Sequence, residues 1–276
     1  MTSAFPSTAR LGRVSLSTAD LGRALAFYEG VLGLDVQTRE SGRAVLGLSA
    51  SALLELVERP GARRDPQAAG LYHVAYLVPS RAALGRILMR LGESGLALDG
   101  AADHTISEAV YLSDPDGHGI EIYRDREPDA WRGPDGRMPT VNLPLDMTGI
   151  LAEAKGEAAG LDPGTSIGHL HLESHDLAAA RAFYQARLGL ELTADWAGRA
   201  AFFAWGGYHH QIAANRFHGR TRPQPRGDDV LGILSYQIVL PDQASLAEIA
   251  ARTGAMAGEG GHAVEDPSAI RFRLTA

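Results

Sequence analysis

Any chemistry in this chain rests on nitrogen and oxygen donors. Its 276 residues include ten histidines and no cysteine, which excludes disulfides, zinc–thiolate sites, iron–sulfur clusters and cysteine nucleophiles. Three residues stand out by type and position. His73 and His169 each stand third in a short segment that reads as a strand, and Glu121 is the centre of Gly119-Ile120-Glu121-Ile122-Tyr123. Two neutral imidazoles and one carboxylate are the facial set that binds non-heme iron(II), leaving positions open for substrate and oxygen; manganese(II) accepts the same donors. A lone histidine on a strand is more often a hydrogen-bonded structural residue, and a lone strand glutamate is usually solvated. What sets these three apart is where they fall on an internal repeat.

Leu11-Gly12-Arg13-Val14-Ser15-Leu16, Asp20-Leu21, Ala26-Phe27-Tyr28 and Leu32-Gly33-Leu34 return 156 residues later without a gap. The second copy reads Ile167-Gly168-His169-Leu170-His171-Leu172, Asp176-Leu177, Ala182-Phe183-Tyr184 and Leu188-Gly189-Leu190. Two further segments echo one another: 72–79 resembles 234–241, and Asp114-Pro115 resembles Asp266-Pro267. Such self-similarity predicts a repeated supersecondary unit. In each unit an alternating strand leads to an aspartate (Asp20, Asp176) suited to cap a helix. The helix buries Leu21, Leu25 and Tyr28, or Leu177, Ala180 and Tyr184, at helical spacing. Gly33 and Gly189 suit the helix C-terminus, and short strands follow.

The chain is therefore read as α+β, with four βαβββ modules at about 10–60, 70–125, 165–216 and 230–276. Along the sequence they form an N-terminal pair (10–125) and a C-terminal pair (165–276), joined by a linker over 126–164 that carries five prolines and a short helix near 147–155. The third residue of the opening strand is Arg13, His73, His169 and Ser235 in the four modules. Closing strands offer Glu55, Glu121, His210 or Gln211, and Arg271. A single metal site then falls on modules two and three, which must face each other, while modules one and four carry a salt-bridged pseudo-site of Arg13, Glu55, Ser235 and Arg271.

The whole chain resembles the vicinal oxygen chelate superfamily, and within it the bacterial catechol 2,3-dioxygenases (type I extradiol enzymes). The carriers are Ile167-Gly168-His169-Leu170, Gly70-Leu71-Tyr72-His73-Val74, Asp103-His104, the run 107–117, Gly119-Ile120-Glu121 and Gly206-Gly207-Tyr208-His209-His210. The resemblance implies iron ligands at His73, Glu121 and His169, a catalytic histidine at His210, an active-site tyrosine at Tyr111 and a hydrogen-bonding histidine at His104, the last match needing a small gap. It implies Fe(II), with Mn(II) as the other candidate, and a small aromatic diol and O2 as substrates, cleaved next to the diol in the catabolism of aromatic compounds. The residue count from Gly117 and Gly207 instead makes Gln211 the partner of Glu121. His118, His171, His175, His218 and His262 are read as solvated or capping, and His209 as a neighbour without a role. Trp205, Phe217 and Tyr76 are candidate pocket walls.

Two rivals share this scaffold. A glyoxalase-type isomerase or lyase needs a second carboxylate facing Glu121, where this chain offers His210 or Gln211. A non-catalytic small-molecule binder commonly lacks the ligands. With 26 basic and 33 acidic residues the net charge is −7, which argues against nucleic acid as a partner. The polar first ten residues and the absence of an apolar run near the ~18 residues of a membrane span predict a cytoplasmic protein. Exposed module edges leave room for a homo-oligomer.

Overall fold

The computed structural model describes residues 5–133, 136, 138–139, 141–258 and 260–276. The first module comprises β1 (Arg10–Thr18), α1 (Leu21–Tyr28), β2 (Asp35–Glu40), β3 (Arg43–Leu48) and β4 (Ser51–Glu58). After a two-residue strand β5 (Arg63–Arg64) come β6 (Gly70–Leu77), α2 (Arg81–Glu93), β7 (Gly100–Asp103), β8 (Ser107–Ser113) and β9 (Gly119–Asp125). The connector carries α3 (Met147–Glu153). The third module is β10 (Ser166–Glu173), α4 (Leu177–Arg181), β11 (Glu191–Asp195), β12 (Ala200–Ala204) and β13 (Ile212–Asn215). A short β14 (Val230–Leu231) precedes β15 (Ile233–Val239), α5 (Gln243–Thr253), β16 (Met256–Gly258), β17 (Gly261–Glu265) and β18 (Arg271–Thr275).

The helix starts follow from their caps. The side chains of Asp20 and Asp176 accept from the amides of Arg23 and Ala179, satisfying donors that the first turn leaves free. Gly33 and Gly189 take φ of +77° and +81°, which ends each helical segment in a conformation glycine tolerates. The repeat is not perfect: after α4 the chain widens into a π-helical turn over Ala182–Arg187, with the Leu188 amide reaching back to the Phe183 carbonyl at 2.8 Å.

Two eight-stranded sheets result, and each draws on both halves of the chain. One has the order β16-β17-β18-β15-β1-β4-β3-β2, joining modules one and four; the other is β11-β12-β13-β10-β6-β9-β8-β7, joining modules two and three. The module openings meet antiparallel at the centre, with Ser15 opposite Ser235 in the first sheet and His73 opposite His171 in the second. A continuous core holds the sheets and helices together and includes Val14, Leu54, Val74, Ile122, Tyr28 and Leu84. Two buried phenol–carboxylate bonds lie at repeat-equivalent places: Tyr28 donates to Asp114 and Tyr184 to Asp266, each at 2.9 Å. Each links one sheet to the other, and a hydrogen bond to a charged acceptor contributes about 1.5–3 kcal/mol. No helix among the described residues is long and apolar enough to cross a membrane.

Candidate metal centre and its cavity

The second sheet converges three side chains around a small central residue. Ala75 on β6 lies opposite Glu121 of β9 on one side and His169 of β10 on the other, and His73 lies two residues back on the same face of β6. An alanine there leaves the space into which its larger neighbours lean. Nε2 of His73 is 3.0 Å from Oε2 of Glu121, Nε2 of His169 is 3.1 Å from the same oxygen, and the two nitrogens are 3.4 Å apart. All three side chains are buried, and they form the one cluster of potential metal ligands found among the described residues. An octahedral ion with bonds of about 2.1 Å separates adjacent donors by about 3 Å, so the donor triangle fits a facially held divalent cation. The donor chemistry fits as well. Burial pushes the Glu121 carboxyl upward, but His169 and His73 outweigh it and hold the group well below the carboxylate range. Burial also depresses His73 against the pull of Glu121, which favours the neutral imidazole a metal requires.

Around this centre the sequence candidates take definite places. Tyr111 on β8 lies directly opposite Glu121 in the ladder. Its hydroxyl is 2.7 Å from Nε2 of His104, whose Nδ1 is 3.0 Å from the Val141 carbonyl. Burial, then the Glu121 charge, pushes the Tyr111 phenol well above its ordinary range, so it keeps its proton. His210 packs its ring 4.3 Å from that of His169, and burial followed by the neighbouring His169 drives its pKa well down. Gln211 is turned away and bridges the Trp205 backbone, its oxygen accepting from the amide and its nitrogen donating to the carbonyl.

Strand register corrects the residue count that paired Gln211 with Glu121. His73 and His169 exchange across a pseudo-twofold axis at Val74 opposite Leu170. Glu121 lies two residues beyond the Gly119 partner of His73. The matching position beside β10 is Ala213, the partner of His171. A methyl group, not a carboxylate, stands where a second acid would face Glu121.

Several histidines depart from their expected places. His118 and His171 are buried, not solvated; His118 bonds the Ser17 carbonyl at 2.8 Å. His171 packs against His73 and Tyr72 on the cavity wall, and burial and then His73 press its pKa well down. Its place two residues after His169 on the same strand was a period-two signal that could have revealed it. His218 lines the cavity and bonds Glu173, and His175 contacts the Ser268 hydroxyl at 3.2 Å. His209 is no bystander: its Nδ1 is 2.8 Å from Nδ1 of His210 and its Nε2 is 2.8 Å from Asp125. Asp125 also accepts from Tyr208 at 2.7 Å, and Tyr208 meets the Tyr123 hydroxyl at 2.8 Å.

The cavity over the triad measures about 560 Å³, within the range of small-molecule sites. Phe217 lines it, as expected, together with Trp196, Phe202 and, from the connector, Met138 and Val141. Trp205 and Tyr76 instead fill the core; the Trp205 indole N–H is occupied by the Ala9 carbonyl at 2.7 Å. In the first sheet the pseudo-site is salt-bridged around Glu55, but with different partners. Glu55 accepts from Ser15 and from Arg43 and lies 4.0 Å from Arg13, whereas Arg271 pairs with Glu265 at the surface.

These features agree with comparisons to known proteins. A family model described as the Glyoxalase/Bleomycin resistance protein/Dioxygenase superfamily matches residues 10–122 and 166–272. The chain is 41% identical over 258 residues to a protein of Bacillus subtilis (strain 168) named catechol-2,3-dioxygenase, covering 91% of this chain and 90% of that one. Glyoxalase I from Zea mays has the same fold, with a TM-score of 0.59 at 16% identity over 97% of this chain and 92% of that one. So does the cppA protein from Streptococcus pneumoniae TIGR4, with a TM-score of 0.55 at 14% identity over 96% and 98%. With the four-module architecture and matches in both halves, this chain belongs to the glyoxalase/bleomycin resistance/dioxygenase superfamily, the vicinal oxygen chelate proteins.

Proposed function

We propose that this protein is an extradiol dioxygenase that cleaves a catechol-type diol with both atoms of O2. His73, Glu121 and His169 hold the metal, Fe(II) or Mn(II), which supplies chelation of the two adjacent oxygens and activation of O2. The observation that carries the reading is the triad with imidazole and phenol groups beside it and Ala213 in place of a second carboxylate. The B. subtilis relative's name supports the same activity.

In this reading the chain's own groups divide the proton work. His210, neutral and beside the triad, accepts a proton from substrate and returns it later. Tyr111, kept protonated, rests with its hydroxyl donating to Nε2 of His104, whose Nδ1–H the Val141 carbonyl fixes, and turns that proton to the substrate at the ring-opening stage. The aromatic walls hold the ring flat, and the connector's Met138 and Val141 keep bulk water from the reacting face. The carboxylate base of a glyoxalase-type proton abstraction has no counterpart here, since Ala213 stands at its position.

The test is metal analysis followed by oxygen uptake with catechol, on anaerobically reconstituted wild type and His169→Ala. The expected result is one metal ion per chain, oxygen consumption with a yellow ring-fission product, and loss of both in the variant. Bound metal without oxygen uptake across a panel of catechols overturns the dioxygenase reading in favour of a non-redox enzyme, and failure to bind metal overturns the triad.

A further inference from the structure

One wall of the cavity carries two arginines that differ in their partners. Arg64 and Arg220 both line it. Arg220 is committed: it pairs with the buried Glu173 and also donates to the Pro66 carbonyl. Arg64 is not. Its guanidinium makes no hydrogen bond or ion pair among the described residues. It folds over the turn at Gly117, where an added Cβ would lie 3.1 Å from Nη1 and would shift the guanidinium by a few tenths of an ångström. Gly117 takes φ +82°, so glycine also suits the turn itself. The side chain keeps an exposed edge, and its partial desolvation, then the Arg220 charge, lower the Arg64 pKa against the pull of the Glu173 and Asp114 carboxylates. Glu173 is taken up by Arg220 and His218, and Asp114 by Tyr28 and the turn amides of Asp116 and His118, so a bound anion would give Arg64 the charge-assisted partner it lacks.

The cavity's chemistry sets what kind of anion could reach Arg64. The Tyr72 ring lies 5.1 Å from His73 of the triad and 5.7 Å from His218, which bonds Glu173 beside the arginines, and the Phe217 ring packs 5.6 Å from it. The cavity, about 560 Å³, is several times the size of an unsubstituted diol ring and spans from the metal ligands to Arg64. We infer that Arg64 is a specificity-determining residue that recognises a carboxylate carried on a side chain of the aromatic diol, so that the preferred substrate is an anionic catechol. This rests on the dioxygenase reading for the diol end of the ligand, and on Arg64 alone for the charge.

A matched pair of probes separates the two: 3-(3,4-dihydroxyphenyl)propanoate and 4-butylcatechol, similar in shape and differing in the carboxylate. Dissociation constants come from quenching of tryptophan fluorescence, with Trp196 on the cavity wall, and kcat/KM from oxygen uptake, for metal-loaded wild type, Arg64→Gln and Arg64→Lys. The expected result is about a tenfold preference of wild type for the anionic probe, the scale of one partly screened charge-assisted contact. That preference should fall to about twofold or less in Arg64→Gln, persist in part in Arg64→Lys, and shrink in wild type at 0.5 M salt. Equal affinity of wild type for both probes, or a preference indifferent to Arg64→Gln and to salt, overturns the inference. Selective binding of the anionic probe without cleavage of any catechol overturns the dioxygenase reading and leaves the anion site standing. Cleavage of both probes with equal kcat/KM does the reverse.

Discussion

The Nδ1 atoms of His209 and His210 lie 2.8 Å apart, so one ring donates to the other, and the far nitrogen of His209 is held by Asp125. Adjacent residues on an extended chain ordinarily point to opposite faces. Here they sit in the loop before β13 and turn toward each other, which lets a carboxylate outside the cavity fix the orientation of a ring inside it.

His209→Phe and Asp125→Leu should therefore act through His210. Removing such an orienting partner typically costs 10–100-fold, and the loss is expected in kcat with KM changed by less than about threefold. Oxygen-uptake kinetics with metal content measured in parallel check this, because a merely structural defect would lower metal occupancy and raise KM as kcat falls. Asp125→Asn, which keeps an accepting oxygen, should recover part of the loss.

The salt-bridged pseudo-site gives a second expectation. Glu55 occupies the place on β4 that Glu121 occupies on β9, each two residues past the partner of the equivalent strand position. Its charge is spent on Arg43, Arg13 and the Ser15 hydroxyl. Burial pushes the Glu55 carboxyl up, but the Ser15 and Arg43 bonds and the Arg13 charge bring it below the usual range. Glu55→Ala should leave metal stoichiometry at one per chain and lower unfolding stability by about 1–2 kcal/mol, since the two arginines are partly exposed and re-solvate. Inductively coupled plasma analysis and urea denaturation measure the two quantities; a halving of metal content would show that the first sheet also binds.

Asp266 offers a pH-dependent signature. Burial raises its pKa to about 6, against the pull of the Ile270 amide and the Tyr184 hydroxyl. A carboxyl that binds its proton more tightly folded than unfolded adds stability below the unfolded value, near 4, and loses it as the pH rises through 6. Wild type should accordingly lose about 2–3 kcal/mol relative to Asp266→Asn between pH 4 and pH 7, measured by urea denaturation across that range. A pH-independent difference would place the proton elsewhere.

Much of this architecture was legible in the sequence because it depends on local order along the chain. The 156-residue repeat, its Asp20 and Asp176 caps and its glycines at 33 and 189 are read directly along the chain and mark the strand that carries His169, while the echo of 72–79 in 234–241 marks the one that carries His73. What was not legible depends on register between distant strands and on the paths of loops. Ala213, not Gln211, opposes the Glu121 position because β13 meets β10 with Leu170 beside Ile212, a pairing that no residue count from neighbouring glycines fixes. Trp205 and Tyr76 look like ligand walls by size alone, yet the indole hydrogen bond to Ala9 and the packing of the core claim them. Arg43 replaces Arg271 at Glu55 because β3 lies next to β4 and delivers its side chain across the ladder. The proline-rich connector reads as a spacer, but tertiary contacts fold it over the cavity.

The crossing of modules between sheets also governs when during synthesis a site can exist. His73 and Glu121 emerge from the ribosome first, and His169 follows 48 residues after Glu121. The strand opening the chain waits longer still, since the Arg13 amide meets Gln237 across 224 residues. Until the last module arrives, the edge of β1 that β15 will cover is a row of open amides and carbonyls, an invitation to stray strand pairing. Closure over such distances is slow compared with helix formation. The nascent chain therefore gathers its three candidate ligands midway through translation but its protection from aggregation only at the end, and chaperone dependence should be greatest for chains halted between those two points.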